Sequence, residues 1–190
     1  MKSLKIVLVG DTMVGKTALV NKWVNGLFLS DASPTIGGSN MQKFVNINGE
    51  KLDIQIWDTA GAERYRSLTP LYIKDAASVM IVFDITCKKS YESLEDWIKF
   101  VNNHGSTPFI IVGNKEDLIE KAEVQFEDAY AYAQSLGAEY FQTSARDGEN
   151  VEGAFMALVK IGYEYCKKNC MVKQSEFENS SSEMTSRPCC

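Results

Sequence analysis

The octapeptide Gly10-Asp11-Thr12-Met13-Val14-Gly15-Lys16-Thr17 fits G-x-x-x-x-G-K-[ST] and lies between an apolar run, Leu4–Val9, and a helix-like stretch, Ala18–Asn25. Strand, glycine loop and helix in that order form the setting this pattern requires. Glycines let the backbone wrap a polyphosphate with several N–H groups aimed inward. The following helix presents its positive N-terminal end to the same charge. Lys16 reaches the β- and γ-phosphates as a point charge, and the Thr17 hydroxyl is suited to ligate Mg²⁺. The loop implies a nucleoside triphosphate without naming the base.

The base is read downstream. Asn114-Lys115-Glu116-Asp117 follows the apolar run Phe109-Ile110-Ile111-Val112, which puts it at the carboxyl end of a buried strand, where open α/β sheets gather ligands. Asp117 is suited to accept from N1–H and the exocyclic amine of guanine. Adenine has no donor at N1, so the carboxylate would stay buried and unpaired, which disfavours an adenine-using ATPase. Asn114 is suited to tie the base and the loops together, and the Lys115 stem to lie over the purine. Between the two motifs, Asp58 ends an alternating strand (Leu52, Ile54 and Ile56 against Asp53 and Gln55), placing a carboxylate near the Mg²⁺. Gly61, in Trp57-Asp58-Thr59-Ala60-Gly61-Ala62-Glu63, lets its backbone N–H approach a γ-phosphate. Thr143-Ser144-Ala145-Arg146 follows the strand candidate Tyr140-Phe141.

Together these segments resemble the nucleotide motifs of Ras-superfamily small GTPases, from about Leu4 to Lys168. The resemblance implies GTP and GDP as ligands, Mg²⁺ held by Thr17, Thr35 and Asp58, and Phe28 against the guanine. Thr35 would be the switch I threonine, and Ser144, Ala145 and Arg146 would complete the base site, with the Ala145 N–H toward guanine O6. Lys16, Thr35, Gly61 and Ala62 occupy the family's catalytic positions.

Apolar runs at Leu4–Val9, Val79–Phe83 and Phe109–Val112 predict strands buried on both faces. Phe44–Ile47 and Leu52–Trp57 flank Asn48-Gly49, a hairpin signal that predicts one antiparallel edge strand. Helices are predicted at Thr17–Asn25, Tyr91–Asn103 with Ser90 as cap, Phe126–Leu136 and Val151–Lys168. The fold class is therefore α/β: a doubly wound, mostly parallel six-stranded sheet with one antiparallel edge strand and helices on both faces. Segments 27–40 and 58–74 lack regularity and flank the γ-phosphate site, as loops do that such a phosphate orders.

The chain of 190 residues suits one domain, a GTP-binding domain over 1–168 with a flexible tail over 169–190. A net charge of −5 without a basic face argues against nucleic acid as a partner. No apolar run approaches the roughly 20 residues that span a bilayer. The five cysteines lack disulfide-framework spacing, which favours a reducing compartment. His104 reads as a helix-end residue, Trp23 and Trp97 as core or half-buried, and Cys166 with Cys170 as lacking partners for zinc.

The ending Arg187-Pro188-Cys189-Cys190 resembles the double geranylgeranylation signal of Rab GTPases. One lipid chain binds membranes marginally and two bind stably, so Cys189 and Cys190 could anchor a tail that has no polybasic patch. Ile54-Gln55-Ile56-Trp57-Asp58, Glu63-Arg64-Tyr65-Arg66-Ser67-Leu68 and Phe83-Asp84-Ile85-Thr86 are also similar to Rab sequences. The likeness implies a monomeric switch in vesicle trafficking on the cytoplasmic face of intracellular membranes, cycling with the cytosol. Its partners would be an exchange factor, an activating protein, effectors, and the prenyl-transfer and GDP-dissociation-inhibitor machinery.

Four departures stand out. Asn40 replaces an effector-facing aromatic, Met13 a common glycine, Arg146 a lysine, and Ala62 the water-orienting glutamine. The last implies slow intrinsic hydrolysis, and leaves open a hydrolysis-deficient, GTP-loaded scaffold at a membrane.

Overall fold

The structure is a computed structural model describing residues 2–28, 38–59, 69–105 and 107–179, with side chains described through Asn169. In chain order the elements are β1 (Lys2–Val9), α1 (Lys16–Asn25), β2 (Gly38–Ile47), β3 (Glu50–Thr59), α2 (Thr69–Ile73) and β4 (Ser78–Asp84). There follow α3 (Lys88–Glu92), α4 (Leu94–Asn103), β5 (Phe109–Asn114), a 3₁₀ turn at Glu116–Lys121, α5 (Phe126–Ser135), β6 (Tyr140–Thr143) and α6 (Val151–Asn179). The strands form one sheet in the order β2-β3-β1-β4-β5-β6, parallel except for the antiparallel β2–β3 pair at one edge.

Strand alternation explains the two-layered core. Ile6, Leu8, Ile54, Ile56, Met80 and Val112 face one way, onto Leu19 and Trp23 of α1 and Phe155 and Leu158 of α6. Val7, Val9, Ile81, Phe83 and Ile111 face the other, onto Leu94, Trp97 and Val101 of α4 and Ala129 of α5. β4 is buried along its whole length, as a central parallel strand must be. Asn48 and Gly49 both take positive φ, 51° and 82°, which closes the β2–β3 hairpin with the twist its strands need.

Some boundaries differ from the sequence reading. β2 starts at Gly38 rather than Phe44, pairing Gly38 with Thr59, because its outer face is polar and hides the strand from any apolar pattern. The helix expected at Tyr91–Asn103 starts earlier, at Lys88, and is divided at Ser93. Ser90 is not its cap: the hydroxyl is buried inside α3, donating to the Cys87 carbonyl at 2.7 Å and accepting from the Asp84 N–H at 3.0 Å. α6 runs 29 residues, past Lys168 to Asn179, since no glycine or proline intervenes between Gly162 and Pro188 to stop it.

Candidate functional site

The carboxyl ends of β1, β3, β4, β5 and β6 lie along one edge of the sheet and carry the loops that hold the motif residues. Gly10 and Gly15 have φ of 141° and 98°. Their lack of a side chain is forced: a Cβ on Gly10 would sit 2.1 Å from the Val82 carbonyl oxygen, and one on Gly15 2.3 Å from Asn114 Nδ2. The loop therefore packs directly on β4 and on the end of β5. Lys16, 5% exposed, folds back across it and donates to the carbonyls of Gly10 and Asp11, both at 2.8 Å. Burial pulls its pKa down to about 8, against the opposing pull of the Asp58 and Asp11 charges.

The structure brings Thr17 and Asp58 together. The Thr17 hydroxyl donates to Asp58 Oδ2 at 2.6 Å. Asp58 is 1% exposed, and its other oxygen, Oδ1, is buried without a hydrogen-bond partner among the described residues. Burial raises the Asp58 pKa, while the Thr17 hydrogen bond and the Lys16 charge pull it down. An orphaned carboxylate oxygen beside a hydroxyl, next to the phosphate loop, is the hard oxygen donor set that Mg²⁺ selects.

Asn114 joins the base loop to the phosphate loop. Its Nδ2 donates to the Val14 carbonyl at 2.9 Å, and its Oδ1 accepts from the Ala145 N–H at 3.2 Å and the Thr143 hydroxyl at 3.3 Å. Asp117 Oδ1 accepts from the Ser144 hydroxyl at 2.9 Å, and Arg146 stands 3.8 Å from Oδ2. A cleft of about 530 Å³ opens between these loops, lined by Phe28, Asn114, Lys115, Asp117, Ala145 and Arg146 among others. Asp117 lines this cleft, and its carboxylate can accept from adjacent N–H donors such as those on guanine's edge. Thr12 and Met13 line a neighbouring cleft with Asp11, Val14, Asp84 and Lys115.

Two contacts at the site were not foreseen from the sequence. Asp84, at the end of β4, pairs with Lys115 at 2.6 Å and accepts from the Thr86 hydroxyl at 2.7 Å. A carboxylate at the end of a strand singled out Asp58, and the same position at the end of the apolar strand β4 could have found Asp84 too. The Trp97 indole N–H donates to Asp11 at 2.9 Å, which periodicity alone could not reveal. The outer face of the β2–β3 hairpin sets Asn40 opposite Trp57, whose ring lies 5.4 Å from that of Tyr72. His104 ends α4 with its Nδ1 2.7 Å from the Phe100 carbonyl, as a helix-end residue should. Thr35, Gly61, Ala62, Cys189 and Cys190 lie outside the described residues. Among the described residues no helix is long and apolar enough to cross a membrane.

Comparison with known proteins agrees with this geometry. Residues 5–164 match the model of the Ras family. The chain is 41% identical over 170 residues to the human Ras-related protein Rab-30, covering 88% of this chain and 84% of that one. It is 36% identical over 187 residues to Rab-19 of Xenopus laevis, covering 97% and 86% of the two chains. It is 42% identical over 159 residues to rat Rab-31, covering 83% and 82%. The chain belongs to the Ras family and is a divergent, Rab-like small GTPase, a switch of the kind that serves vesicle trafficking.

Proposed function

We propose that the protein cycles between GTP- and GDP-bound states with slow intrinsic hydrolysis, recruiting effectors to an intracellular membrane while GTP is bound. The observation that carries the binding reading is the Asn114 side chain, which ties Val14 of the phosphate loop to Ala145 beside the base cleft. Phosphate and base recognition are thereby one rigid unit. Within it Lys16 and the loop N–H groups hold the β- and γ-phosphates, Asp117 reads guanine, and Phe28 and Lys115 flank its faces. Thr17, Asp58 and Thr35 would hold Mg²⁺, which when bound neutralises charge on the phosphates. Gly61 offers its N–H to the γ-phosphate. Ala62 can neither donate to nor accept from an attacking water, so water positioning falls to a partner or to another side chain.

Ala62 also favours a second reading, in which the protein hardly hydrolyses and signals as a GTP-loaded scaffold. In both readings exchange factors, activating proteins and effectors bind a monomer. Cys189 and Cys190 carry two prenyl groups, added by prenyl-transfer machinery and shielded during cytosolic transit by a GDP-dissociation inhibitor. The attachment is to the cytoplasmic face. Bound-nucleotide identity in protein purified with Mg²⁺ separates these readings from any other: guanine nucleotide is expected, and adenine nucleotide or none would remove both. The share of GTP in that bound nucleotide then separates the two.

A further inference from the structure

The phosphate loop is clamped from several sides. From within, Lys16 donates to the carbonyls of Gly10 and Asp11, and from β5 Asn114 donates to that of Val14. From outside, the Trp97 indole N–H donates to Asp11 Oδ1 at 2.9 Å, across 86 positions of sequence. Trp97 is only 2% exposed and packs edge-on against Phe100 at 6.1 Å, so α4 fixes the direction of that N–H.

Between these anchors sits Met13, with a φ of 66°. A side-chain-bearing residue in the left-handed region is strained and stays there only when its surroundings impose it. The Met13 side chain is 63% exposed, so its own packing does little to hold that conformation. The constraint comes from the flanking residues.

We infer that Trp97 is a positioning residue for nucleotide binding: through Asp11 it holds the phosphate loop in its cradling shape against the strain at Met13. This rests on the reading of the loop as a guanine-nucleotide site. Without the indole donor, Met13 relaxes toward an ordinary φ, and the loop N–H groups that would face the phosphates turn with it. Bound nucleotide then leaves sooner. Glycine at position 13 has no such strain to release, so the tether should matter little there.

The test is release of a fluorescent GDP analogue from the full-length protein with Mg²⁺. Six proteins are compared, each with its Tm: the parent, Trp97→Phe, Met13→Gly, Asp11→Ala, and the double variants of Trp97→Phe with each of the other two. Trp97→Phe keeps an aromatic ring and removes the donor. It should speed release about tenfold in the parent background and less than about twofold beside Met13→Gly, because the two sites share one constraint. Asp11→Ala removes the acceptor without touching the core. It should match the Trp97→Phe effect and add nothing to it. Equal acceleration by Trp97→Phe in both backgrounds, following the drop in Tm, would mean a packing role only and overturn the tether. Release from Asp11→Ala at the parent rate would overturn it too. A parent that holds no GDP analogue overturns the nucleotide reading, and the tether with it. A parent that holds it, with Trp97→Phe releasing at the same rate, overturns the tether alone.

Discussion

Asn114 and Val14, 100 residues apart in sequence, are joined by a 2.9 Å hydrogen bond from the Asn114 side-chain amide to the Val14 carbonyl. The same amide oxygen accepts from Ala145, so one buried side chain couples three loops. Asn114→Ala leaves the Val14 carbonyl, the Ala145 N–H and the Thr143 hydroxyl without this partner. Each unsatisfied buried group costs about 1–3 kcal/mol. The expected outcome is GDP and GTP affinity lowered at least a hundredfold with a lower Tm, checked by equilibrium titration and thermal melting. Parent-like affinity would mean the loops are held by other contacts.

Asp117 should decide the base. Asp117→Asn is expected to weaken GTP binding by orders of magnitude and shift preference to xanthosine triphosphate, whose 2-oxo group accepts from the new amide. Competition among GTP, XTP and ATP checks this. An unchanged preference for GTP would show that the cleft beside Phe28 is not the base site.

How much of this was legible follows from what each residue touches. The buried strands announced themselves because β1, β4 and β5 are apolar on both faces, and the loop residues because glycine, lysine and carboxylate stand at fixed spacing after them. The first half of β2 did not, since Ser39, Asn40 and Gln42 lie on an edge strand and face solvent or polar neighbours. Asp58 and Thr17 could be paired through the resemblance; Trp97 and Asp11 could not, because a helix reading says only which face of α4 is buried. The division of α3 from α4 at Ser93 was equally hidden, since Ser90 looks like a cap until its hydroxyl is seen bonded to Cys87.

Lys16 gives the site a pH dependence. Burial pulls its pKa down to about 8, below the ordinary 10.5. Phosphates beside it favour the charged form, so binding takes up a proton once the pH passes about 8. Affinity for GTP should be level from pH 7 to 8 and then fall, approaching about tenfold per unit. The empty fold has the opposite sign: a lysine with depressed pKa adds stability as pH rises from about 8 toward 10.5. Titration calorimetry in two buffers of different ionisation enthalpy checks the proton uptake. Affinity that is flat from pH 8 to 9 would contradict it.

Membrane attachment should need Cys189 and Cys190. With both changed to serine the protein should fractionate wholly with cytosol, while either single change should weaken attachment, following the difference between one lipid chain and two. Membrane recovery of the double variant would contradict lipid anchoring.

Ala62 should set the pace of GTP hydrolysis on this switch. Hydrolysis needs an oriented water, and a methyl group offers it nothing. Restoring the side chain should therefore speed the chemical step by about tenfold or more, equal to about 1.4 kcal/mol or more of barrier. The direct measurement is single-turnover hydrolysis of GTP preloaded with Mg²⁺ on the parent and on Ala62→Gln, with no activating protein present. A slow, measurable parent rate and a variant at least about tenfold faster are the expected result. A variant no faster than the parent would contradict the claim that the absent glutamine sets the rate.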